Sequence, residues 1–483
     1  MNFSMIRYTI GWLLIVEGAF FLVPLTAAIV YGEEKSILAF ALMAFLSTLV
    51  GVLISYRKPH DKKLYQREGL VICALSWIVL SLVGAVPFMI TGVTSSYIDA
   101  LFETVSGFTT TGSTIFGAVE GLPKAILLWR SFTHWVGGMG VLVFMLAILP
   151  LGGGQSMHIM RAESPGPSVS KLVPTVRQTA TILYSIYIAM TLLQLLMLLI
   201  VGKESFFDAL NITFATAGTG GFGIRNDSLL SYSPTTQIIT TVFMLLFSIN
   251  FSSYYLLLRG RFKDAFNTEL RVFVVFVALM TGLITLNILG ASGSFDRWDE
   301  TLRHAAFTVA SLVSTTGFAT VDFNLWPELS RFLLVLVMLV GACAGSTGGG
   351  LKVSRVVILV KGMLREFKML LHPRQVKKLQ MDGQTIDHEI VRTANAYIVT
   401  YAAIVIASMT VLAIEGLDLV SNFTATVATL NNIGPGLNLV GPTQNFAFLS
   451  VPSKIMLIFN MLAGRLELFP LLVLLSPSTY KRS

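Results

Sequence analysis

Apolar runs of about 20 residues, each long enough to cross a bilayer as a helix, recur along this chain from one end to the other. Backbone groups find no water in lipid, so each run must satisfy its own hydrogen bonds. The spans fall at about 7–31, 36–56, 69–91, 123–149, 178–202, 234–258, 271–291, 327–360, 393–415 and 452–476. Charge agrees: only 12% of the 483 residues are charged, about half of what a soluble domain carries. The first run is too long for a secretory signal core, and a second follows at once, so both read as retained spans. The chain reads as an all-α polytopic membrane protein. Cys73 and Cys343, its two cysteines, lie inside apolar segments and read as small buried residues, with no disulfide framework or metal site.

A net charge of +8 would fit a nucleic-acid partner if the basic residues shared a soluble face. They do not. Loops 57–68 (Arg57, Lys58, Lys62, Lys63, Arg67), 150–177, 259–271 (Arg259, Arg261, Lys263, Arg271) and 361–392, with the tail Lys481–Arg482, hold most of them. That bias places these loops and both termini in the cytoplasm, and no nucleic acid is expected. The opposite loops are acidic: Glu33, Glu34, Asp99, Glu103, Glu120, Glu204, Asp208, Asp227, Asp296, Asp299, Glu300, Asp322 and Asp418. They read either as solvated loops or as a vestibule that concentrates cations.

Four polar, glycine-punctuated stretches interrupt the apolar pattern: VSGFTTTGSTIFG (105–117), NITFATAGTGGFG (211–223), VASLVSTTGFATVDF (309–323) and TATVATLNNIGPGLN (424–438). Their recurrence is an internal repeat. It divides the chain into two N-terminal helices (1–68) and pore repeats at 69–177, 178–270, 271–392 and 393–483. Each repeat has a span, a short amphipathic piece, a glycine turn, a polar loop and a second span. The short pieces are Tyr97–Phe108, Phe206–Ala215, Arg303–Ser314 and Leu419–Asn431. They are too short to cross hydrocarbon and too apolar for free loops, so they read as re-entrant half-helices, permitted only where protein or a watery cavity shields them.

Four such units around one axis bring four turns together. Each short helix then points its C-terminal carbonyls, which carry partial negative charge, at the centre. A cation leaving water must exchange its hydration shell for a ring of oxygens. Thr110, Thr216 and Thr315 offer carbonyls and hydroxyls, and Asn432 an amide oxygen. Gly112, Gly218, Gly317 and Gly434 free the backbone to turn.

The third repeat holds a second irregularity. Its last span is apolar to Gly341 and then reads ACAGSTGGGLKVSR. Glycines at that density end a helix, so the break is expected at Gly345–Gly350, lining a cavity or forming a close-packed seam. Arg465 sits near the middle of the last span, where a charge is costly unless hydrated or paired. It reads either as a pore-facing cation bonding carbonyls near Gly345–Gly350, or as half of a structural pair with another helix; Glu467 is badly spaced to be its partner. His134 reads as a packing residue, with a proton relay as the alternative.

The segments FTTTGST, FATAGTGGFG, STTGFAT, TLNNIGPGL, GACAGSTGGGLK and NMLAGRLELF resemble the Trk/Ktr/HKT superfamily of potassium transporters, nearest the bacterial Trk-type pore-forming subunit. The resemblance covers nearly all of the chain. It implies one pore from four non-identical repeats, with potassium ligands from Thr110, Thr111, Thr216, Ala217, Thr315, Thr316, Asn432 and Ile433. Gly345, Ser346, Thr347, Gly348, Gly349, Gly350 and Lys352 would form an obstructing intramembrane loop. It further implies a homodimer in the bacterial inner membrane. A cytoplasmic ring of regulatory subunits would carry the nucleotide (NAD, or ATP and ADP), and the 361–392 loop would face it; without the family that loop reads as a lipid-contacting linker.

A second filter glycine is matched only by Gly220 and Gly436, the other repeats having Thr114 and Ala319, so discrimination among potassium, rubidium and sodium is expected to be imperfect. An integral-membrane enzyme would need a catalytic constellation; there is no HExxH, no GxSxG and no histidine cluster. A non-conducting scaffold has no use for four oxygen-rich turns. A sodium- or proton-coupled symporter of the same fold needs an intramembrane carboxylate, and Glu17, the one acid well inside the first span, lies outside the repeats.

Overall fold

The computed structural model describes residues 1–60, 65–140, 175–291, 297–372 and 378–480. Lys62, Lys63, Asp296, Arg374, Lys377, Lys481, Arg482, residues 150–174 and the end of the 123–149 span lie outside the described residues. The fold is helical, with one small antiparallel hairpin, Gln380–Met381 against Gln384–Thr385.

Each of the four repeats begins with a continuous helix: Gln66–Gly84 running on into Val86–Ile90, then Val176–Ile200, Thr268–Ile288 and His388–Leu412. These are long and apolar enough to cross a bilayer, as are the N-terminal segments Phe3–Tyr31 and Glu34–Ser55. Leu192, Leu193, Leu196, Val275, Leu286, Val399 and Ile406 are exposed on them, and lipid is the solvent that suits such a surface. The two N-terminal segments touch backbone to backbone: a β-carbon on Gly11 would stand 2.8 Å from the Ser55 amide nitrogen. Phe21 and Phe40 then dock on Trp129 of the first repeat, at 4.8 and 6.1 Å between ring centroids.

The second helix of the last three repeats is interrupted, and that of the first, Lys124–Met139, ends at Gly140 with φ 82°. In the second repeat, Pro234–Phe247 meets Phe251–Leu258 at 89°. Asn250 begins the new helix, its side chain accepting the Ser252 amide at 2.9 Å. In the third, Glu328–Val340 and Val353–Leu371 are separated by the glycine loop. In the fourth, Val451–Arg465 and Phe469–Leu475 are parted by Glu467 and Leu468, both with positive φ. These breaks correct the unbroken spans expected at 234–258 and 452–476. Hydropathy registers an apolar run and is blind to a turn inside it; Pro470, which disfavours helix at the residue before it, was the available sign.

The short helices are Tyr97–Phe108, Phe206–Ala217, Trp298–Val313 and Leu419–Leu430. The third begins a turn earlier than the expected Arg303.

Candidate functional site

The four short helices end identically. Thr110, Thr219, Thr315 and Asn432 each adopt a left-handed conformation, with φ of 56°, 55°, 59° and 55°. The next residue's amide reaches five positions back: Thr111 to Ser106, Gly220 to Ala215, Thr316 to Ser311 and Ile433 to Ala428, all at 2.8 Å. A glycine with positive φ follows each time, at Gly112, Gly221, Gly317 and Gly434. Glycine is the common choice where a helix turns left-handed at its end. Three β-branched threonines there cost about 1–2 kcal/mol each, strain of the kind that gathers at functional sites.

This geometry shifts the second turn by three residues. Its left-handed residue is Thr219 and its glycine Gly221, so Thr216, Ala217 and Gly218, expected at the ring, belong to the helix end. The Thr216 hydroxyl bonds its own helix at Ile212 (2.7 Å). The misreading has a cause: Phe214 stands four residues before Gly218 just as Phe108 stands before Gly112. The distance from the helix cap identifies the right glycine. Ser96 and Ser205 cap the first two helices through the Asp99 and Asp208 amides (3.3 and 3.1 Å), and Asp418 caps the fourth through Ser421 (3.0 Å). Gly112, Gly221 and Gly434 all stand at the same remove from those caps. The second filter glycine of that repeat likewise becomes Gly223 in place of Gly220.

The turns close on one another in chain order. A β-carbon on Gly112 would collide with the carbonyl oxygen of Gly220, on Gly221 with that of Thr316, and on Gly317 with that of Ile433; on Gly434 it would stand 2.8 Å from that of Thr111. Each glycine thus seats the carbonyl that precedes the next glycine around the ring. Ser113 Oγ bonds the Gly434 carbonyl at 3.0 Å and Asn432 Nδ2 bonds Thr111 Oγ at 3.0 Å, joining the first turn to the fourth. The resulting collar of oxygens is uncharged, and Thr111, Thr316 and Asn432 are fully buried.

On one side the collar opens into a cavity lined by the four turn glycines, Ser113, Gly223, Arg130 and Arg225. Among the described residues lining it there is no Asp or Glu, so the acidic-vestibule expectation fails there. Three of the acids serve as structural anchors. Glu103 is buried against Arg130 at 2.7 Å and accepts the Ile115 amide at 3.0 Å. Asp99 pairs with Lys454 at 2.7 Å and Asp208 with Arg225 at 3.1 Å. Arg130 also donates to the Gly223 carbonyl at 3.1 Å and lies 4.1 Å over the Phe222 ring, joining the first turn to the second. An arginine inside an apolar run was the sign of this buttress. His134 braces the same two turns, Nδ1 against the Gly107 carbonyl (2.8 Å) and Nε2 accepting the Phe222 amide (3.3 Å). Both ring nitrogens are engaged by backbone, which favours the packing role.

On the opposite side lies the glycine loop of the third repeat. Carbonyls orphaned by the bend in the second repeat hold it. The Thr347 hydroxyl bonds the Phe247 carbonyl at 3.1 Å and the Cys343 amide the Ser248 carbonyl at 3.1 Å, while Gly345 returns its own carbonyl to the Phe251 amide at 3.0 Å. The Gly349 amide donates to Thr315 Oγ at 2.7 Å, so the loop touches the collar. Gly348 lies against the Ser314 carbonyl, Gly350 against Gly341, and Ser346 Oγ bonds the Cys343 carbonyl at 2.6 Å. Lys352 Nζ bonds the Gly348 carbonyl. Arg465 reaches the Thr347 carbonyl at 2.8 Å, the Gly138 carbonyl at 2.7 Å and Thr110 Oγ at 3.4 Å. The structure brings these loop residues and Arg465 together. Arg465 is the last residue of its helix, at the break in the span, where a cation meets the negative end of the helix dipole. Glu467 pairs with Arg355 instead.

A family model described as TrkH, cation transport protein, matches residues 36–481. The Trk system potassium uptake protein TrkH of Salmonella typhimurium (strain LT2) is 37% identical over 487 residues, covering 100% of both chains. The Trk system potassium uptake protein TrkG of Escherichia coli (strain K12) is 30% identical over 485 residues, 99% of each. The crystal structure of the potassium transporter TrkH from Vibrio parahaemolyticus superposes with a TM-score of 0.89 at 32% identity, covering 100% of both chains.

Proposed function

Because this chain belongs to the TrkH family of cation transport proteins, we propose that it is the pore-forming subunit of a potassium uptake system. It conducts K⁺, also Rb⁺ and less readily Na⁺, through the collar of turns. The observation that carries this reading is the cyclic seating of each turn's carbonyl on the preceding glycine. Such a ring offers neutral oxygens at the end of four helix dipoles, a setting for a weakly held monovalent cation. Thr110, Thr111, Thr219, Gly220, Thr315, Thr316, Asn432 and Ile433 are the proposed ligands, with Gly112, Gly221, Gly317 and Gly434 shaping the filter. The loop Gly345–Lys352 is the gate and Arg465 its latch, repelling cations until it moves. The four repeats, 69–177, 178–270, 271–392 and 393–483, each supply one quarter of the pore. The protein sits in the bacterial inner membrane with both termini cytoplasmic, as a homodimer bound to a nucleotide-binding regulatory ring.

A proton-coupled symporter would need a titratable group at the collar. None of the proposed ligands titrates, and Glu17, buried with neither carboxylate oxygen partnered among the described residues, lies outside the repeats. Passive conduction is therefore favoured. Purified chain in vesicles should take up rubidium, with potassium a strong competitor and sodium a weak one. Equal competition by sodium refutes the filter. Uptake that requires an imposed proton or sodium gradient refutes passive conduction.

A further inference from the structure

The glycine loop has two ends, and one carboxylate oxygen holds both. Glu269, the second residue of the helix Thr268–Ile288, is 4% exposed. Its Oε1 accepts the Ala344 amide at 2.7 Å and the Ser354 amide at 3.1 Å. Ala344 stands at the start of the loop and Ser354 in the first turn of the helix beyond it, so one atom bridges the two ends, beside the bond from the Val353 amide to the Ala342 carbonyl at 3.1 Å. A buried carboxylate is costly, and an amide bonded to an ionised oxygen is held about twice as strongly as one bonded to a neutral acceptor. Arg465 and Thr315, by contrast, hold only the middle of the loop, at Thr347 and Gly349.

The neighbouring residue ties this clasp to the hairpin. Thr268 gives its amide and its hydroxyl to Asp382 Oδ1, at 2.7 and 2.6 Å. Asp382 and Gly383 form the tip of the hairpin, both with positive φ. Lys361, on the helix that leaves the loop, bonds the Gln380 carbonyl at 3.0 Å. A pull on the hairpin is therefore transmitted to the helix end that carries Glu269.

We propose that Glu269 is the positioning residue that keeps the intramembrane loop shut, and that the hairpin at Asp382 is the handle that releases it. The inference rests on reading the loop as the gate. Losing one oxygen loosens both loop ends at once and leaves the Val353 amide on the Ala342 carbonyl, at 3.1 Å, as the direct tie between them.

Cys343 lies within the loop, 1% exposed, and reports its release independently of conduction. In a full-length Cys73→Ala chain it is the sole thiol. Modification of that chain in detergent by a charged maleimide should be slow, and rapid after SDS denaturation. Glu269→Ala is expected to speed modification about tenfold. Glu269→Gln, which retains a neutral Oε1, should change it no more than about threefold. Asp382→Ala, an exposed change that leaves the packing intact, should fall between the two. Glu269→Ala and Asp382→Ala chains that both react at the wild-type rate overturn the proposal. Rubidium uptake by the same chains tests the other reading separately: rapid modification without added uptake keeps the clasp and removes the loop's role as gate.

Discussion

The collar and the loop beneath it are both glycine-rich and uncharged along most of their length, yet they are held in different ways. The collar closes mainly by backbone contact, each glycine filled by the next turn's carbonyl, with Ser113 and Asn432 bridging the first turn to the fourth. The loop has no such ring: it hangs from backbone groups at the bend of the second repeat and from three side chains, Arg465, Thr315 and Glu269. A ring of seated carbonyls cannot be opened one contact at a time without deforming every turn. A loop held by a few hydrogen bonds can be, since each contributes about 1–3 kcal/mol. On the proposed function, the first region keeps its shape while ions pass and the second gives way.

The sharpest test of this contrast is a methyl group in the collar. Gly221→Ala meets the Thr316 carbonyl and forces alanine into a left-handed conformation, costing about 2–5 kcal/mol in all. Rubidium uptake should fall more than about 100-fold, and retained uptake would break the comparison at its strongest point. Next is the buttress. Arg130→Met leaves Glu103 buried and unpaired, destabilising the protein by about 3–5 kcal/mol. The melting temperature in detergent should drop markedly, and Glu103→Leu added to it should recover much of the loss. The loop answers in the opposite direction. Arg465→Ala is expected to raise basal uptake about tenfold by freeing the loop and removing a cation from the path; unchanged uptake in a well-expressed variant counts against the gate. The smallest effect tests the corrected register: Thr216→Val should leave uptake within about twofold, because its hydroxyl serves only its own helix, whereas Thr219→Val should not.

Much of the architecture was legible because it follows from near neighbours in the chain. Apolar length located the continuous helices, and polar glycine segments located the four turns. The density of glycine after Gly341 located the loop. What escaped had no local signature. Phe214 and Gly218 imitate Phe108 and Gly112, so a local match chose the wrong turn; only the common distance from the helix caps, itself readable, separates them. Glu103 looked like a vestibule acid because its partner Arg130 sits in another helix. Glu269 carried no sign of its role, since the amides it serves lie 75 and 85 residues further on.

By itself, then, the order of residues determined that this chain lives in a bilayer, where its helices begin, and where its backbone is free to turn. Hydropathy, capping and glycine's conformational freedom act over one or two helical turns, and so they can be read along a line. Tertiary structure alone decided which carbonyl rests on which glycine, which acid meets which base, and what holds the loop closed. Those are contacts between groups up to 355 residues apart, as Asp99 is from Lys454. Their energies exist only once the four repeats have packed around a common centre.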